Sequence, residues 1–142
     1  MIDFDTVASD KDVQQLINAI DHTRRQHDAK MLVQLISEIT AAEAVIWGED
    51  IIGFGRYRYL YKTGRKGYWP IISFTVSTEK ISINIMPGTE NYASLIKKIG
   101  RVKFSNTALT LHKLSDIHTP ALKSLLQQVF EDMQNKHDCQ LN

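Results

Sequence analysis

Apolar residues recur three and four positions apart in four segments of the chain, the spacing that places side chains on one face of an α-helix. These stripes cover residues 13–20, 32–39, 92–99 and 122–133. Ser9, with Asp12 three positions later, predicts the N-terminal cap of the first helix, and Thr89 and Gly100 predict the limits of the third. The charged link at residues 22–28 is compatible with either a turn or a continuous helix. The pattern therefore predicts four helices.

The centre of the chain alternates apolar and polar residues, which is typical of half-buried β-strands. Residues 56–61 and 81–85 alternate most clearly, residues 62–67 predict a glycine-rich loop, and residues 69–77 and 107–112 complete the predicted strands. Consecutive strands joined by short loops pair antiparallel. The predicted fold class is α+β, a two-layer sandwich in the order ααβββαβα, with helices on one face of an antiparallel sheet of about four strands.

The composition is that of an ordinary globular domain. Because the chain has 142 residues, 43% of them hydrophobic, we expect one domain over residues 1–142 with short flexible termini. Its single cysteine excludes a disulfide framework. No apolar run approaches the ~20 residues that span a bilayer, and the acidic start lacks the apolar core of a signal peptide. We therefore expect a cytoplasmic protein with no membrane partner.

Charge is distributed unevenly, although the net charge is only +1. Residues 1–50 carry a net charge of −6, residues 51–113 carry +9 and residues 114–142 carry −2. A basic sheet with interleaved aromatic residues suits an acidic ligand or a polyanion. Acidic helices that compensate a basic sheet within one fold would give the same distribution, so both interpretations stay open.

Patterns for catalysis and for metal binding are weak. No two of the five histidines lie three or four positions apart, and no nucleophile elbow, phosphate loop or dinucleotide fingerprint occurs. Nothing near Cys139 marks it as a nucleophile. The N-terminal carboxylates Asp3, Asp5, Asp10 and Asp12 could offer oxygen ligands to a hard cation, but carboxylates at a helix start also interact favourably with the helix dipole. No reaction and no cofactor follows from these residues.

Aromatic and basic residues of the predicted hairpin are the best candidates for a ligand site. Tyrosine and tryptophan each offer a large apolar area and one polar group, so they either line a pocket or form an aromatic core layer. The candidate ligand-binding residues are Trp47, Arg56, Tyr57, Arg58, Tyr59, Arg65 and Trp69.

Several short motifs in this region occur in the order of a known bacterial family. They are Trp47-Gly48, Gly53-Phe54-Gly55, the tyrosines at 57, 59 and 61, Gly64-Arg65-x-Gly67, Trp69-Pro70, Phe74 and Met86-Pro87-Gly88. Over residues 10–130, approximately, the chain resembles the YdhG-like family of unknown function. This resemblance implies an α+β domain and no established mechanism. A distant branch of the family, associated with frataxin-like iron chaperones, lacks most of these motifs. The chain departs from the family at residues 101–108, where a histidine, a lysine and a cysteine are missing.

Three functions follow as hypotheses. The first is a non-enzymatic binding module that holds a small acidic ligand or a protein partner at the hairpin. The second is a frataxin-like iron chaperone that uses Asp10 and Asp12. The third is nucleic-acid binding on the basic sheet face, through Arg56, Arg58, Lys62 and Lys66. A polar sheet face could be wet or could pair with a second subunit in a homodimer, and its residues are Ser73, Thr75, Ser82 and Asn84.

Overall fold

The computed structural model describes residues 8–60 and 66–141. Within these ranges the four predicted helices are present, as α1 (Val13–Asn18), α2 (Thr23–Thr40), α3 (Ala93–Lys97) and α4 (Thr119–Lys136). Short 3₁₀ turns at Glu90–Tyr92 and Leu114–Asp116 precede α3 and α4. None of the described helices combines the length and the apolar character that crossing a bilayer requires.

Three helix starts differ in detail from the sequence prediction. At α3, which begins at Ala93, the predicted cap Thr89 forms no cap hydrogen bond, and its hydroxyl donates to the carbonyl of Ser105 at 2.6 Å. The cap of α1 is Asp12, whose carboxylate accepts hydrogen bonds from the backbone at the start of the helix, whereas Ser9 donates to the carbonyl of Ile46 at 3.0 Å. The charged link is helical, because α2 already begins at Thr23 and His22 is its N-cap. Helix α2 is therefore longer than its apolar stripe alone suggests.

The early start of α2 buries two charged residues. Arg25 and Asp28 are each 5% exposed. The Arg25 guanidinium donates to the two backbone carbonyls of the turn at residues 78–79. The Asp28 carboxylate accepts from the backbone N–H of Leu114 at 3.1 Å. These two side chains tie α2 to two loops that are distant in the sequence, which a solvated link would not do.

Nine strands form two antiparallel sheets in the described part of the chain, so the predicted count of about four strands is too low. The larger sheet has the order β1-β2-β5-β6-β8-β7 and the smaller one the order β4-β3-β9. Their strands are β1 (Ala44–Trp47), β2 (Ile51–Phe54), β3 (Arg56–Leu60), β4 (Lys66–Trp69), β5 (Ile72–Val76), β6 (Ile81–Asn84), β7 (Lys103–Phe104), β8 (Ala108–Leu111) and β9 (Asp138–Gln140).

The division into two sheets occurs where the sequence predicted one continuous strand at residues 69–77. Proline has no backbone N–H for a ladder, and the strand breaks at Pro70. Before the break, β4 pairs with β3; after it, β5 pairs with β2. The chain therefore leaves one sheet and enters the other within two residues.

One face of the six-stranded sheet supplies much of the hydrophobic core. The register aligns Ile52, Phe74, Ile83 and Leu109 across four neighbouring strands, and all four are buried. Helix α2 contacts β2 and β5, and it also contacts α4. The opposite face carries the polar residues of β5 and β6, as period-two alternation requires.

Candidate ligand site at the junction of the two sheets

A cavity of about 170 Å³ lies where β1 of the larger sheet meets β3 and β9 of the smaller one. We call it the junction cavity. Its lining residues are Ala8, Glu43, Val45, Trp47, Gly55, Arg56, Gln140 and Leu141. The walls combine an indole and three aliphatic side chains with one guanidinium, one amide and one carboxylate. This combination can bind a ligand that has both an apolar part and a charged part.

Arg56 is the positive charge of the junction cavity. Its Nε and Nη2 donate to the side-chain oxygen of Gln140 at 2.9 and 2.6 Å, and its guanidinium lies 4.6 Å from the ring centroid of Tyr68. Both neighbours are uncharged. No carboxylate among the described residues forms an ion pair with Arg56. The guanidinium is therefore held in place, half-buried, without a negative partner, a setting that favours an anion.

Glycine at position 55 brings Arg56 to the cavity. Gly55 connects β2 to β3 with φ +64°, a left-handed conformation that residues with a Cβ rarely adopt. A Cβ at this position would also lie 2.8 Å from the Cδ1 atom of Ile71. The chain can thus turn sharply from the larger sheet into the smaller one, and the first residue of β3 lines the cavity.

The alternation of β3 separates the predicted arginines from the predicted tyrosines. In the register of the smaller sheet, Tyr57 lies opposite Trp69 and Arg58 lies opposite Tyr68. Tyr57 and Trp69 are buried in the core, whereas Arg58 is exposed. Arg56 shares the Arg58 face by alternation. The predicted aromatic and basic surface is therefore divided between two faces.

The predicted aromatic residues differ in whether they belong to the core or line the cavity. Tyr57 and Trp69 belong to the core cluster, and Tyr59 packs against it. The Tyr57 ring lies 5.9 Å from the Tyr59 ring and 4.8 Å from the His137 ring. Trp47 contacts both environments, because its ring lies 6.1 Å from Trp69 and it also lines the junction cavity.

Of the seven predicted site residues, the structure brings Trp47 and Arg56 together at one cavity. Arg65 lies outside the described residues. Sequence reasoning missed Glu43 and Gln140, which belong to no motif. Gln140 reaches the cavity because β9 pairs with β3 across more than eighty positions, and the sequence of β9 has no pattern that signals a strand.

Cys139 lies beside Gln140, and its surroundings do not activate its thiol as a nucleophile. Its Sγ is 3.5 Å from the carbonyl oxygen of Met133. Burial, and then the charge of Asp138, raise the pKa of the Cys139 thiol. A raised pKa keeps the thiol protonated at neutral pH, which makes it a poor nucleophile.

The residues of the other hypotheses are placed as follows. Asp10 is exposed, and Asp12 is engaged as the α1 cap. Within the described ranges, no three histidine, cysteine or carboxylate side chains come together in a way that could hold a metal ion. Asp3, Asp5, Lys62 and the Lys66 side chain lie outside the part of the chain that the structure describes.

Comparison with known proteins adds no relative. No family profile, no curated protein and no solved structure matches the chain.

Proposed function

We propose that this protein is a binding module, not an enzyme, and that it holds a small acidic ligand in the junction cavity. One observation carries the proposal: a half-buried arginine with no ion-pair partner among the described residues lies in the same cavity as a tryptophan. Arg56 would bind the acidic group, and Trp47, Val45 and Leu141 would contact the apolar part. An aromatic carboxylate has this combination of groups.

The geometry of Arg56 supports recognition of an oxyanion. A guanidinium has five N–H donors, and Gln140 takes two of the donor nitrogens of Arg56. The Nη1 donors remain for a carboxylate. Since Gln140 and Tyr68 already hold the side chain, little rotamer freedom is lost when the ligand binds.

The size and the lining of the cavity bear on the ligand class. A volume of about 170 Å³ suits a small molecule better than a protein partner, because protein interfaces are broad surfaces of roughly 800 Å² per partner. The exposed carboxylate of Glu43 lies at the same cavity and opposes a negative ligand. It would weaken the affinity for anions and would favour a ligand that carries a single negative charge.

We also propose that the chain belongs to the YdhG-like family and that its helices and larger sheet form the two layers of a sandwich. The motif residues support the first proposal by acting as one packing unit. A Cβ at Gly53 would lie 2.7 Å from Pro70 Cβ and 2.8 Å from Trp47 Cδ1. Contacts of α2 with β2 and β5 support the second proposal. A cytoplasmic location stays a prediction.

Benzoate is a suitable probe, and benzamide is its uncharged counterpart of the same shape. The chain has two tryptophans, so a nitrogen-labelled sample gives two indole signals, which a Trp69→Phe variant assigns. Benzoate is expected to shift the Trp47 signal to saturation, and benzamide is expected to bind at least tenfold more weakly. This difference follows because a hydrogen bond to a charged group contributes about 1.5–3 kcal/mol.

Two matched variants test the role of Arg56. Arg56→Gln should raise the dissociation constant for benzoate by about tenfold to a hundredfold. Arg58→Gln removes the same charge from the same face of the same strand, but Arg58 does not line the cavity, so a change below twofold is expected. Arg56→Lys, which keeps the charge, gives an intermediate loss. Equal losses in the two glutamine variants would mean that benzoate senses only the overall charge, and the proposal would be wrong.

A further inference from the structure

A second hollow, of about 160 Å³, lies on the face of the six-stranded sheet that points away from the core. We call it the outer hollow. Four polar side chains form its floor in two cross-strand pairs, Ser73 with Asn84 and Thr75 with Ser82. The remaining lining residues are Ile51, Trp69, Phe74 and Ala108. The outer hollow shares no lining residue with the junction cavity.

The floor of the outer hollow has hydrogen-bonding capacity that the described residues leave unused. The hydroxyls of Ser73, Thr75 and Ser82 bond to no side chain or backbone group among those residues. Asn84 makes a single weak contact, from its Nδ2 to the Met86 sulfur at 3.1 Å. Three hydroxyls and an amide can both donate and accept. They thus suit a partner that offers donors and acceptors at close spacing.

The residues that line the outer hollow disfavour a charged ligand. None of the residues that line the outer hollow is ionisable at neutral pH. Ser73, at the floor, is only 3% exposed, and an ion placed beside it would lose hydration without gaining a counter-charge. Ile51, which is half-buried, and Trp69, which is 6% exposed, also line the hollow and add apolar character at its edge. An uncharged molecule therefore fits this site better than an anion or a cation.

We infer that the outer hollow binds a small, uncharged, hydroxyl-rich molecule of the polyol or sugar class. The alternative occupant, a second copy of the chain packed sheet to sheet, fits less well. Sheet packing buries apolar faces, and it would cover the unpaired hydroxyls at a cost. The large exposed apolar side chains Met31, Tyr68 and Phe104 do not line the outer hollow.

Glucose and glucuronate test the inference, because the two rings differ by one carboxylate. Titration of nitrogen-labelled protein with glucose should give saturable shifts in the Asn84 side-chain amide and in the backbone amides of β5 and β6. Glucuronate should bind at least tenfold more weakly. The dissociation constant for benzoate should be unchanged when glucose is bound, so this result is separate from that for the junction cavity.

Two threonine variants make the test specific. Thr75→Val removes a hydroxyl from the floor of the outer hollow while preserving the shape of the side chain, and it should weaken glucose binding about threefold to tenfold. Thr110→Val makes the same change on the same sheet face, opposite Ser82 but outside the hollow, and it should have less than a twofold effect. Absence of saturable shifts, or equal effects of the two variants, overturns the inference. A concentration-dependent dimer that protects β5 and β6 would overturn it in favour of the second copy.

Discussion

Gly53→Ala should destabilise the protein, and the sign of its effect tests the packing between the sheets. Gly53 lies in β2, opposite Ser73 of β5. It is not in the left-handed region, so its backbone accepts alanine. Where a site has room, Gly→Ala stabilises a protein by about 0.4–1 kcal/mol, because it restricts the unfolded chain. Backbone preference alone therefore predicts a more stable variant.

The space around Gly53 reverses that expectation. The added Cβ would lie 2.7 Å from the Cβ of Pro70 and 2.8 Å from Cδ1 of Trp47. Favourable carbon contacts occur at about 3.5–4.0 Å, so each neighbour would have to move by roughly 1 Å. Pro70 is a rigid ring in the break between β4 and β5, and Trp47 is 4% exposed. Overpacking of this kind costs about 1–3 kcal/mol, which exceeds the gain from the unfolded chain.

Urea denaturation followed by circular dichroism measures the effect. Because the free energy of unfolding falls by about 1–3 kcal/mol for each molar increase in urea, the urea concentration at the unfolding midpoint should fall by roughly 1 M. A matched background is Pro70→Gly, which removes the nearest overlapping atoms. There, Gly53→Ala should cost less, with a coupling energy of about 0.5 kcal/mol or more. A midpoint that rises in the single variant, or a cost that is the same in both backgrounds, would refute the packing argument.

Three further predictions concern charge and burial. Glu43→Gln removes the opposing carboxylate of the junction cavity, so benzoate affinity measured by calorimetry should increase; a decrease would contradict the role given to Glu43. The Tyr92 hydroxyl donates to the carboxylate of Asp132 at 2.6 Å. This hydrogen bond lowers the pKa of Asp132. Burial, and then the same hydrogen bond, raise the pKa of Tyr92. The bond should thus stabilise the fold at neutral pH, lose its effect as pH falls through the lowered pKa of Asp132, and weaken again above about pH 10, where the tyrosine of the unfolded chain ionises. Tyr92→Phe should lower the melting temperature at pH 7, but not at a pH below the lowered pKa of Asp132. An equal decrease at the two pH values would contradict this linkage. Arg25→Ala leaves two backbone carbonyls without a charged donor, so the free energy of unfolding measured with urea should fall by about 2–5 kcal/mol. The control Arg24→Ala replaces an exposed arginine and should change this free energy by no more than about 0.5 kcal/mol. Similar losses for the two variants would mean that the buried contacts of Arg25 contribute little.

The helices could be predicted from local periodicity, and the antiparallel pairing could be predicted from the short loops between consecutive strands. The β1–β2 hairpin was missed because residues 44–47 and 51–54 are short apolar runs that do not alternate with polar residues. The strand predicted at residues 69–77 was too long, since the pattern continues through Pro70 although the pairing does not. Strand β9 is held by pairing with β3 and has no periodic signal of its own.

The candidate site was partly predictable. Trp47 and Arg56 were identified from residue type, and they share the junction cavity. The grouping of Arg56 with Tyr57 and Trp69 on one surface neglected the strand period of two, which sends successive side chains to opposite faces. Gln140, the residue that fixes the arginine, becomes visible only when the chain has folded, because it comes from the far end of the sequence.

A crystal structure with bound 4-bromobenzoate would show whether the junction cavity is the acid-binding site, because the anomalous signal of bromine locates the ring. We expect a bromine peak inside the junction cavity, with the ring against Trp47 and the carboxylate on the Nη1 side of Arg56. A bromine peak at another site, from protein that binds 4-bromobenzoate in solution, would contradict binding in the junction cavity.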